Sequence, residues 1–156
     1  MSDNTMILIL VGVFVFGGGL LLMIKSGKSG GDNDEVVTPL KIKAFERLLL
    51  YMERMRFAVL VKRVFMPGMT RSDLQFALIQ NVQDEFEHNL AQRLYVEEKT
   101  WFIVNMAKDE ALNVINTAFG ENEDADAPMM AQILASKSNL LIDRAIMAIK
   151  KEFNTL

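Results

Sequence analysis

Cysteine is missing from this 156-residue chain, and histidine occurs once, at His88. The first absence excludes disulfides and thiolate zinc sites, and agrees with a reducing compartment. The second leaves any serine nucleophile with a single possible imidazole partner, so the usual hydrolase constellations are not present. Three prolines leave room for long uninterrupted helices. No segment alternates between apolar and polar residues with a period of two, which argues against strands.

What is abundant is apolar residues, at 51% of the chain, and much of the excess lies in one block. Residues 5 to 24 read TMILILVGVFVFGGGLLLMI, twenty positions without a charge. At about 1.5 Å per residue such a run crosses a hydrocarbon core of about 30 Å once. Its leading residues, MSDN, carry an acid instead of the basic n-region of a cleavable signal, and no small-x-small site follows. The expectation is an uncleaved anchor over 1–25. Gly12, Gly17, Gly18 and Gly19 lie within it, where small side chains let a second membrane helix approach closely.

Lys25 and Lys28 follow the run at once, then Lys41, Lys43 and Arg47, while no basic residue precedes it. The positive-inside tendency therefore places the C-terminal part in the cytoplasm and the N-terminus outside. Residues 26–38, rich in Ser, Gly and Asp, read as a flexible linker. Residues 39–156 read as a helical domain, one core's worth of chain. The fold class expected is thus all-α: a single transmembrane helix followed by a compact cytoplasmic bundle of about five helical segments.

Those segments follow from periodicity and stop signals. Thr38-Pro39 suits a helix entry, and Ile42, Phe45, Leu49 and Met52 form a stripe over 39–56. A short helix over 57–65 ends at Pro67-Gly68. Thr70 and Asp73 resemble a capping box opening a helix over 71–96, with Leu74, Leu78, Val82, Phe86 and Leu90 inward. The next, over 98–118, turns Val104, Ala107, Ala111, Val114 and Ala118 inward and stops at Gly120. The acidic tract ENEDADA reads as an exposed loop, and Pro128 opens a last helix over 128–153.

Charge is unevenly spread. From Lys41 to Arg63 seven basic residues face two acids; from Asp73 to Asp126 twelve acids face three bases. The basic set Lys25, Lys28, Lys41, Lys43 and Arg47 suits an anionic membrane surface, while the acidic remainder disfavours nucleic acid. Glu85 and His88 have the Glu-x-x-His spacing of di-iron bundles, but such sites need a second motif and more glutamates. Asp84, Glu85, Glu87 and His88 therefore read as a partner-facing polar cluster, with Asp84 pairing His88 across one turn. Gly27-Lys28-Ser29 lacks the earlier glycine and the preceding strand of a phosphate loop. No cofactor, metal or catalytic residue is implied, and the oligomeric state is open.

The tracts ERLLLYMER at 46–54 and EFEHNLAQRLYV at 85–96, with Trp101 and Ala107-Lys108, resemble a family of small membrane-anchored helical proteins of Bacteroidetes-type bacteria, uncharacterised as to activity. The resemblance covers most of residues 40–120. It implies an inner-membrane setting and transfers no catalytic or binding residue. The functional expectation is a membrane-tethered interaction, scaffold or accessory protein. The alternatives are a small subunit of an envelope secretion or motility machine, or a metal-dependent helical-bundle enzyme.

Overall fold

The computed structural model describes residues 31–156. The apolar run 5–24, its glycines Gly12, Gly17, Gly18 and Gly19, and Lys25 and Lys28 lie outside the described residues. Among the described residues no helix is long and apolar enough to cross a membrane. The chain divides into two units, Met1–Val36 and Val37–Leu156. The second carries a single hydrophobic core, and the described residues fold into helices and turns without a strand.

Helix α1 runs Gly31–Met55. The expected linker 26–38 is thereby shortened, because residues 31–38 are helical and Pro39 lies inside α1, not at its start. Proline's fixed φ fits a helix; the cost is one missing N–H toward the carbonyl four residues back. Ala44, Phe45, Leu48, Tyr51, Met52 and Met55 are buried. Phe45 and Met52 belong to the expected stripe, but Ile42 is exposed and Leu49 only half-buried. The face is set by two neighbours: Phe45 meets the ring of Phe153 edge-on at 5.8 Å, and Tyr51 meets Phe86 at 6.5 Å.

Arg56 breaks the helix without proline or glycine, at ψ 130°, and α2 (Phe57–Val64) follows. Its first N–H is capped from far along the chain: Phe57 N donates to Asn139 Oδ1 at 3.0 Å. Arg56 itself bridges Glu53 at 2.6 Å and Asp143 at 2.8 Å, and its guanidinium is held above its ordinary value chiefly by the Glu53 bond. Phe57, Leu60, Val61 and Val64 are buried. The turn after α2 uses Gly68 at φ +89°, a conformation a Cβ disfavours.

The capping box at Thr70 is present: Asp73 N donates to Thr70 Oγ1 and Thr70 N to Asp73 Oδ2, both at 3.1 Å. The Thr70 hydroxyl also donates to Asp73 Oδ2 at 2.6 Å, and this bond first, then the one from Thr70 N, holds the Asp73 carboxyl below its ordinary range. Helix α3 (Arg71–Asn89) buries Leu74, Leu78 and Val82. The expected continuation to residue 96 tightens into a 3₁₀ segment, Leu90–Tyr95. Three residues per turn instead of 3.6 rotates the faces, so Leu90 turns outward and Gln92 inward.

Helix α4 (Glu98–Glu121) is central, packing against α3, α5 (Ala127–Ala135) and α6 (Leu140–Phe153). Its buried face, with Ala107, Ala111 and Ala118 among larger residues, lets neighbours come close. Ile115, not Val114, is fully buried there. Gly120 lies within α4 and does not end it. The end is made by side chains: Asn122 Nδ2 donates to the Ala118 carbonyl at 2.8 Å, and Arg71 donates to the carbonyls of Phe119 and Asn122. A cation at a helix C-terminus is the favourable sign.

At the other end of α4, Glu97 N donates to Glu152 Oε1 at 2.7 Å, so the last turn of α6 supplies the carboxylate that the helix N-terminus attracts. This bond sets α6 antiparallel to α4. The single helix expected over 128–153 is two helices. Ser136, Lys137, Ser138 and Asn139 part them, and the Ser136 hydroxyl donates to the Ile133 carbonyl at 2.7 Å, a local alternative to the helical ladder. Asp126 caps α5 through Met129 N at 2.9 Å, with Pro128 in its first turn.

Candidate functional site

Two sequence features that lie some forty residues apart meet in space. Helix α1 presents Arg47, Leu50 and Arg54 along one face at steps of three and four. Helix α3 presents Asn81, Asp84, Glu85 and His88 along another. Between them lies an open cavity of about 380 Å³, lined by these residues together with Tyr51 and Asn89.

The centre of the groove is Glu85, only 15% exposed in its side chain. One of its oxygens, Oε1, accepts from Arg54 Nη2 at 2.8 Å and from Arg63 Nη2 at 2.7 Å. Arg63, from α2, also donates to Asn81 Oδ1 at 3.2 Å. Two guanidiniums on one carboxylate oxygen leave an excess of positive charge and donor capacity, which is the arrangement that receives a further carboxylate or phosphate.

Arg47 donates to the His88 carbonyl at 3.2 Å and, among the described residues, has no carboxylate partner. His88 Nδ1 lies 3.0 Å from the main-chain carbonyl of Asp84. A carbonyl only accepts, so Nδ1 carries the proton and, in the neutral ring, Nε2 remains an acceptor. The expected pairing of His88 with the Asp84 carboxylate is therefore replaced by a bond to its backbone. Asn89 makes the same kind of bond, Nδ2 to the Glu85 carbonyl at 2.7 Å.

Tyr51 forms the floor. It is 1% exposed, and its hydroxyl has no hydrogen-bond partner. Burial, and then the charges of Glu85 and Asp109, push the phenol well above its ordinary value, so it stays neutral. Leu50 stands at the rim, 62% exposed.

Of the expected site residues, Arg47, Asp84, Glu85 and His88 converge here. Glu87 is exposed and does not line the groove; Lys43 is exposed and Lys41 half-buried on α1, and neither lines it. In the Glu-x-x-His pair Glu85 is engaged by two arginines, and among the described residues no group of three or more His, Asp or Glu could hold an ion. Arg54, Arg63 and Asn81 were not singled out from the sequence. The spacing of Arg47, Leu50 and Arg54 was legible there, but what they face was not.

A family model described as "Family of unknown function (DUF7935)" matches residues 8–156. The chain belongs to that family. No curated protein and no solved structure matches the chain. The match takes in both the apolar run from residue 8 onward and every element of the DUF7935 helical domain, so the groove-lining helices α1, α2 and α3 fall within it.

Proposed function

We propose that the protein is a membrane-tethered interaction or accessory protein of the bacterial inner membrane, whose helical domain holds a protein partner through the groove between α1 and α3. The uncharged run 5–24 supports the tether, and the basic residues that follow it support a cytoplasmic side for the domain. The observation that carries the docking role is the groove itself. It combines an over-supplied arginine cluster on Glu85, an arginine with only a carbonyl to bind, and an exposed Leu50 between them. Arginines around an apolar anchor are a common composition for protein contacts. The segment that fits carries acidic residues beside an apolar one.

The test is a photo-crosslinking residue at Leu50 in full-length protein in its native membranes, after confirming that the chain resists carbonate extraction. A discrete protein adduct that disappears when Arg47 and Arg54 are both replaced by Glu supports the reading. Carbonate-extractable protein removes the tether, and a chain without any adduct removes the docking role.

A further inference from the structure

The groove is not the only end of the domain with unbalanced charge. The loop joining α4 to α5 and its flanks carry Glu121, Glu123, Asp124 and Asp126, all exposed. Asp126 is occupied as the cap of α5. The other three have no ion-pair partner among the described residues. Met129, exposed on the first turn of α5, stands next to them. This end therefore repeats, with the charge reversed, the composition of the groove: carboxylates around a protruding apolar side chain, against guanidiniums around Leu50.

The two surfaces cannot meet within one copy. The acidic loop sits at the start of α3, because Arg71 holds the carbonyls of Phe119 and Asn122. The groove sits at the end of α3, around Glu85, fourteen residues later. At about 1.5 Å per residue they are separated by about 21 Å along the helix axis. We infer that the acidic loop of one copy docks into the arginine groove of the next, a head-to-tail contact between copies of this chain. The inference rests on the docking role proposed above and names the partner as a second copy. The contact is heterologous, so a pair of copies still has one free groove and one free loop between them, and the assembly extends or closes into a ring.

Asp84 and Glu85 face the same groove and oppose an incoming carboxylate. Among the lining residues Arg47 and Arg54 match them in number; Arg63, which reaches Glu85 from α2 without lining the groove, leaves one positive charge over. The attraction is between exposed charges, so salt weakens it.

Because the chain has no cysteine, two single-cysteine variants test the geometry directly in full-length protein in mild detergent. One carries Leu50→Cys and the other Asp124→Cys; each leaves the remaining charges of its surface in place. On mild oxidation, a mixture of the two forms a crosslinked dimer that neither forms alone. Its yield falls about ten-fold on raising NaCl from about 20 mM to about 500 mM, where the screening length shrinks to a few ångström. It is also lost with Arg47→Glu/Arg54→Glu in the Leu50→Cys chain, or with Glu121→Lys/Glu123→Lys in the other, where the substituted residues lie at or beside an exposed loop and helical circular dichroism is unchanged. Crosslinking of either variant with itself at equal yield, or no crosslink in the mixture while both are folded, overturns the inference. If the photo-crosslinker at Leu50 instead captures a different protein, the docking role stands and the second copy does not.

Discussion

Tyr51→Phe removes one oxygen from the interior and nothing else. The hydroxyl is buried without a partner, beneath a groove whose other polar groups are hydrogen-bonded or open to solvent. Leaving a buried hydroxyl unpaired costs about 1–3 kcal/mol in mutational series. The oxygen's departure leaves a void smaller than a methyl group, which returns about 0.5 kcal/mol of that gain through lost contacts. The expected net effect is a stabilisation of about 1 kcal/mol, or a rise in Tm of about 3–5 °C for a unit of this size. The tilted contact of the ring with Phe86 is untouched.

The pH dependence gives a second handle on the same residue. The phenol's folded pKa is raised from 10.0 by burial first and by Glu85 and Asp109 second. A raised pKa means that the folded state binds the proton more tightly than the unfolded state. The contribution is therefore complete below pH 10 and is lost as the pH climbs from there toward the folded value. Urea denaturation of the Val37–Leu156 unit across pH 7–11, followed by circular dichroism, reads both effects. Wild type loses stability above pH 10, and Tyr51→Phe is more stable at neutral pH and loses less. An unfolding free energy lowered by more than about 0.5 kcal/mol at pH 7 would refute the reasoning, since it requires that the hydroxyl is bonded.

Substitutions at three other residues probe the helix caps, two of them made from distant positions and one local. Glu152→Ala deletes the acceptor for Glu97 N and lowers stability by about 1.5–3 kcal/mol, while Glu152→Gln, which keeps an oxygen there, retains at least half of it by the same denaturation assay. Asn139→Ala uncaps α2 and costs about 1 kcal/mol, and amide hydrogen exchange speeds at Phe57 more than in the middle of α4. Thr70→Ala costs about 1 kcal/mol at pH 7. Since the Asp73 pKa is depressed in the fold, the wild-type capping contribution is complete above its ordinary value of 3.8 and is lost as the pH falls through the lowered one. The difference between the Thr70→Ala variant and wild type therefore shrinks in acid, as read by Tm between pH 2 and 6.

Local signals along the chain were enough for the helical class, for the boundaries of α2, for the capping box at Thr70 and for most of the inward faces of α3 and α4. Each of these depends on residues within one or two turns: apolar spacing, a side chain bonding its own backbone, a proline or glycine stop. The acidic tract Asp84 to His88 and the basic run on α1 were likewise visible as patterns. The break at Arg56 and the start of α4 were placed correctly, but the distant residues that stabilise them, Asn139, Asp143 and Glu152, were not visible. The end of α4, which Arg71 holds from a distant position, was placed at Gly120 and lies beyond it.

The groove belongs to the same class. Composition alone determined that residues 41–63 are basic and that residues 73–126 are acidic. Only the packing of α1 and α2 against α3 decided that Arg54 and Arg63 share one oxygen of Glu85, that Arg47 reaches the His88 carbonyl, and that Tyr51 is sealed beneath them. A helix's own period sets which residues share a face. Which face meets which neighbour, and therefore which charge meets which, depends on side-chain packing between elements far apart in sequence.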